Sequence, residues 1–182
     1  YNFVIGLTLV VMMGIFSVIS ATMSSKFIVD EYRGKKAILL FSYPISRKKI
    51  METKILLVFL FTFGSMLISG AIVLAVFMIT ESLVPIGNDI ASLGLMLTSI
   101  IYLVCYALIA AFCGIASSWI GFRKQSVIAT IVASCIIMVT MCQIVAMTFF
   151  SGVAMILLLA GMGIITFLAV ESMLSQARKM EI

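Results

Sequence analysis

Histidine is absent from the 182 residues, proline occurs twice, and only 10% of the chain is charged against 64% apolar. Without imidazole there is no His-ligated haem, no His-containing zinc site and no His general base, which removes most intramembrane hydrolases. The four cysteines, Cys105, Cys113, Cys135 and Cys142, lie inside apolar runs and form no C-x-x-C pair. They read as small packing residues rather than metal or redox groups. No stretch has the form GxxxxGK[ST], so the chain does not bind ATP by that route. A soluble domain averages roughly 45–50% apolar and 25% charged residues, so a water-soluble fold is excluded.

What is present is long apolar runs. A spanning helix needs about 20 predominantly apolar residues, and runs of that kind lie at about 2–23, 55–80, 92–120, 126–148 and 152–173. The fold expected is all-α, one polytopic helical membrane domain over residues 1–182 with about five transmembrane helices. The net charge of +5 has no continuous basic face to offer nucleic acid. The twelve Lys and Arg fall instead in three places. Lys26, Arg33, Lys35, Lys36, Arg47, Lys48, Lys49 and Lys54 follow the first span, Arg123 and Lys124 join the third to the fourth, and Arg178 and Lys179 end the chain. The alternate connections, Glu81 to Asp89 and Phe149 to Gly152, carry no basic residue. By the positive-inside rule the basic side, with the C-terminus, is expected in the cytoplasm of a cell membrane. An odd number of spans then places Tyr1 outside, which leads to the expectation of a further span before it and six in the native subunit. No cleavable signal peptide is expected in Tyr1 to Met23, which lacks a basic flank before it and a small-residue cleavage pattern after it.

Small residues let membrane helices approach closely, and Ala110, Gly114 and Ser118 recur at four-residue spacing in the third span; Gly161 and Gly163 offer the same in the last. Buried ionisable residues, the usual mark of an ion-coupled carrier, are nearly missing from the spans. Gln143 is the strongly polar side chain deep in a span, available for a helix–helix hydrogen bond or for substrate.

The unusual segment is 26–54, dense in charge yet interrupted by the apolar run Ala37 to Phe41, which is too short to span. Pro44 ends a helix just before it, because the residue preceding proline avoids the helical region. Ser46 can then cap a new helix that runs through Lys49 and Glu52 into the second span. On physical grounds alone this is a basic loop for anionic membrane lipid, or a docking segment for a protein partner.

Glu31-x-x-Gly34, then Leu39, then Pro44-Ile45-Ser46-Arg47, Ile50 and Lys54 resemble the first cytoplasmic loop of the ABC-2 type permeases, the membrane subunits of ATP-driven exporters. The resemblance implies that this loop follows the second of six spans and carries a coupling helix that docks on a nucleotide-binding subunit. It implies ATP and magnesium in that partner and no cofactor in this chain, a second permease subunit as homo- or heterodimer, and no enzyme activity here. The coupling contact is expected from Glu31, Arg33, Gly34, Lys35, Leu39, Pro44, Ser46 and Arg47, with Gly34 allowing close approach and Pro44 fixing the bend. The substrate path is expected along the second and fourth spans, at Phe63, Met66 and Gln143. An apolar lining suits an apolar or amphipathic cargo such as a peptide, drug or lipid-like molecule. The turn Phe149 to Gly152 has no room for the re-entrant helices of glycan exporters of this type. The competing readings are an ATP-independent carrier or channel and a membrane-bound immunity or scaffold protein.

Overall fold

The computed structural model describes residues 2–31, 47–83, 93–148 and 152–179. Five helices account for nearly all of them: α1 (Asn2–Ser24), continued by a π-helical turn at Ser25–Val29, α2 (Arg47–Leu83), α3 (Leu93–Lys124), α4 (Val127–Thr148) and α5 (Gly152–Lys179). No strand occurs among the described residues. All five are long and apolar enough to cross a membrane, so the chain is an all-α, multi-pass helical membrane protein. In hydrocarbon each backbone group must be satisfied within its own segment, and the α-helix does that.

Two boundaries differ from those the sequence suggests. The first helix does not stop at residue 23 but carries Lys26 and Phe27 on through Val29, and α2 begins at Arg47, well before its apolar stretch. Its 37 residues, at 1.5 Å each, run about 55 Å, far beyond a hydrocarbon layer of about 30 Å. The described parts of the 26–54 segment are therefore helix extensions, and residues 32–46, including Arg33, Gly34, Lys35, Leu39, Pro44 and Ser46, lie outside the described residues.

α3 is the central helix. It packs against each of the other four, while α1 also packs on α2 and α4. α2 and α4 do not meet, and the consecutive helices α4 and α5 meet only weakly. The centrality of α3 follows from its small residues, for Ala107, Ala110, Ala111 and Ser118 are completely buried. A Cβ on Gly114 would overlap the Ser20 side chain and stand 3.4 Å from the Ser20 carbonyl carbon, so α1 crosses α3 at its backbone. Of the expected Ala110, Gly114 and Ser118 face, Gly114 thus lies at the α1–α3 crossing, while the Ser118 hydroxyl reaches the Met173 sulfur of α5 at 3.9 Å. Gly161 makes no such crossing, with nothing within 4 Å of where its Cβ would be, and Gly163 meets Phe112 only at 3.9 Å.

The α3–α4 hairpin shows how local sequence sets the turn. Gln125 has φ 48°, in the left-handed region. Its N–H donates to the Phe122 carbonyl at 3.2 Å, and the Ser126 N–H donates to the Gly121 carbonyl at 3.1 Å. That pair of bonds closes the end of α3. Ser126 then caps α4, its hydroxyl accepting from the Ala129 N–H at 3.4 Å. The tight return brings Thr130 onto Gly121, where a Cβ would stand 2.7 Å from the Thr130 Cβ and 3.1 Å from its Cα.

Candidate functional site

Near the end of α1 three hydroxyls bond back to their own helix. Thr22 donates to the Ile19 carbonyl at 2.8 Å, Ser24 to Ala21 at 3.0 Å and Ser25 to Thr22 at 2.7 Å. Hydroxyls that compete for main-chain carbonyls loosen the regular ladder, and the wider π turn follows at once, closed by the Asp30 N–H on the Ser25 carbonyl at 2.9 Å. The wider turn exposes Lys26 and Phe27 and turns Ile28 and Val29 inward.

Ile28 and Val29 enter an apolar cluster with Met51 and Ile55 of α2, Ile115 and Phe122 of α3, and Met173 of α5. Phe59, Trp119 and Val127 pack around it. Because the cluster joins the later parts of α1, α3 and α5 to the first turns of α2 and α4, it lies at the end of the bundle that carries, among the described residues, Lys26, Lys49, Lys54, Arg123 and Lys124. The positive-inside pattern therefore has a structural counterpart in a single basic end.

At the edge of this cluster the Lys54 ammonium donates to the Glu31 carboxylate. The side chains are 20% and 36% exposed respectively, so the pair stands at the boundary between apolar core and solvent. Exposed ion pairs contribute about 0–1 kcal/mol, and this sheltered one lies toward the upper part of that range. Its geometry matters more. Glu31 is the last described residue before the 32–46 segment and Lys54 lies two turns into the helix after it, so the pair ties the two roots of that segment together.

Trp119 stands beside the same cluster, its indole N–H buried with no hydrogen-bond partner among the described residues. The Arg123 guanidinium carbon lies 5.8 Å from the centroid of its ring, within cation–π reach. Arg123 and Lys124 are themselves exposed at the end of α3. An aromatic ring with its charged neighbour is the usual furniture of a membrane–water boundary.

Of the contact residues expected from sequence, Glu31 is placed in the ion pair and Arg47 opens α2; the rest lie outside the described residues, as stated above. The expected path residues do not come together. Met66 is completely buried in the central core, with Met13, Tyr106 and Val145. Phe63 is partly buried beside it, stacked on Phe59 with ring centroids 6.2 Å apart. Gln143 is exposed on α4, a helix that α2 does not touch. The reason is helical phase: Val145, two residues on, takes the inward face of α4 and leaves Gln143 pointing away from the bundle. Within one chain these three residues line no common path.

Sequence reading missed Ile28, Val29, Met51, Trp119 and Met173. A signal was present in the four-residue step from Met51 to Ile55, an apolar stripe that begins before the long apolar run.

No family model matches the chain, and no solved structure matches it. Over 123 residues, 68% of its length, it is 28% identical to an uncharacterized protein, YcbO, of Bacillus subtilis (strain 168). The chain spans about half the length of that curated relative, 54% of which is covered by the match.

Proposed function

We propose that the chain is the membrane permease subunit of an ATP-driven exporter of the ABC-2 type, moving an apolar or amphipathic cargo out of the cytoplasm. Separate ATPase subunits supply the energy, and a second permease subunit completes the path. The observation that carries the reading is the braced root of the basic segment. Its two ends, Glu31 and Lys54, are ion-paired above an apolar cluster to which all five helices contribute.

Force applied to a loop with free ends is lost in bending of the chain. Applied to residues 32–46 it reaches α1 and α2 together, and through the cluster it reaches α3 and α5. Packed interfaces respond by rigid-body displacement rather than gradual deformation. A docked ATPase that closes on ATP would thus tilt α1 and α2 as a pair. The basic residues Arg33, Lys35 and Lys36 suit acidic groups on that partner or lipid phosphate. The apolar outer faces of α4 and α5, with Gln143 among them, supply the surface for the second permease subunit, which also accounts for a path that one chain does not form.

Cysteine cross-linking tests the contact. A candidate ATPase subunit is co-expressed with a Lys35→Cys variant of this chain carrying no other reactive cysteine. A cross-link to the ATPase from position 35, and none from Gly152→Cys at the opposite end, is the expected result. Failure of every position from 33 to 46 to cross-link, with the complex intact, would overturn the docking assignment.

A further inference from the structure

We infer that a cleft between α1, α2 and α3, at the end of the bundle away from the basic residues, seats one acyl chain of a membrane phospholipid. The cleft measures about 420 Å³, within the range of roughly 300–1,000 Å³ typical of ligand sites. It is lined by Ile5 of α1, by Leu67, Ala71 and Phe77 of α2, and by Ser99 and Leu103 of α3. Its origin is visible in the sequence. Ala71 and Ala75 follow one another at one turn on α2, and neither is long enough to reach Ile100 and Val104 on the opposite wall.

The hollow is not slack packing between loosely held helices. Immediately beside it Gly70 receives Leu103 so closely that a Cβ at position 70 would overlap the leucine. The two helices are clamped there and part only where the alanines stand. Among the described residues the wall offers one hydroxyl, Ser99, which has an interaction of its own, so none of them is available to orient a polar solute. Apolar cavities stay dry and take apolar guests.

The setting selects the guest. Ile100 and Val104 form the lip and are exposed, and the surface continues through the exposed Ile72, Val76 and Ile101. In a chain with five membrane-crossing helices that surface faces hydrocarbon, where the available material is alkyl chain. Because lipid tails are as apolar as leucine, the gain comes from filling: an empty cleft forfeits dispersion contacts that a seated chain restores. Among the described residues the walls carry no cation and one hydroxyl, already engaged, so the site reads the chain and ignores the headgroup. The inference depends on the five spans and the cleft alone, and stands or falls apart from the transport reading.

The test uses the whole chain in nanodiscs of phosphatidylethanolamine and phosphatidylglycerol, doped with phosphatidylcholine that bears a diazirine in its acyl chain. After irradiation, adducts are mapped by peptide mass spectrometry. Adducts in residues 67–78 and 99–104 should exceed those on the exposed face of α4, at Val132 and Val139, by several fold. Ala75→Phe fills the cleft and should cut its adducts at least fivefold while leaving those of α4 unchanged. Ala71→Leu serves as the second filling variant should Ala75→Phe fail to fold. Adducts spread over α2 to α5 in proportion to exposure, or cleft adducts unchanged in a folded filling variant, would overturn the inference.

Discussion

Gly121→Ala is expected to destabilise the protein by about 1–3 kcal/mol, although alanine is the better helix former. A Cβ at position 121 would stand 2.7 Å from the Thr130 Cβ and 3.1 Å from the Thr130 Cα. Carbon atoms rest at about 3.5–4.0 Å, so α4 must retreat from α3 by at least about 0.8 Å at the crossing. Rotating the Thr130 hydroxyl, which is struck as well, does not clear the way, because the Cβ and Cα stay where they are and the side chain is β-branched. Overpacking of this kind costs about 1–3 kcal/mol. The shift also disturbs the Thr130 hydroxyl bond to the Ser126 carbonyl at 3.2 Å, worth about 1 kcal/mol. Replacing glycine within a helix returns about 1 kcal/mol, which leaves the net loss stated. The assay is an unfolding titration in mixed micelles, read by circular dichroism, on Gly121→Ala, Thr130→Gly and the double variant. The double variant should lose less than the two single losses together, by at least about 1 kcal/mol, since Thr130→Gly removes the obstructing side chain. A Gly121→Ala protein as stable as the parent, or strict additivity, would refute the close-crossing argument.

Three further outcomes are expected. Met51→Ala, which empties a completely buried position in the cluster at the basic end, should cost about 2–4 kcal/mol in the same titration. Gln125→Gly relieves a left-handed residue with φ 48° and should stabilise by up to about 1 kcal/mol; a loss would refute the strain. In vesicles of known sidedness, membrane-impermeant maleimide should label Lys124→Cys from one face and Gly152→Cys from the other, and labelling of both from one face would contradict the course of α4.

Much of the fold was legible because membrane spans are written in length and composition. The five runs and the basic ends needed no knowledge of tertiary contacts, and the Ala110, Gly114 and Ser118 face needed only helical period. Where the helices end was harder to read. Lys26 looks like the start of a loop, yet the apolar Phe27 to Val29 behind it still had a cluster to enter, and the hydroxyls of Ser24 and Ser25 supplied the wider turn that aims them there. At the candidate site Glu31 was picked out by motif, and its partner Lys54 belonged to the same motif without being assigned a role. Pairing across 23 residues depends on how α1 and α2 lie together, which no local pattern encodes. The facing of Gln143 was illegible for a related reason: polarity in a span signals cost, and only the phase set by Val145 says whether that cost is met inside the chain or beyond it.

The central claim is that the Glu31–Lys54 pair transmits movement between the basic segment and the spans, and a charge swap tests it most directly. The chain and the proposed ATPase subunit are reconstituted together, and ATP turnover that depends on the chain is measured for Glu31→Lys, Lys54→Glu and the double exchange. Each single variant should lose at least fivefold, and the double exchange should regain at least half of the parent rate because the pair is restored with its polarity reversed. Parent-like turnover in both single variants, or a double exchange no better than either in an intact complex, would contradict the account.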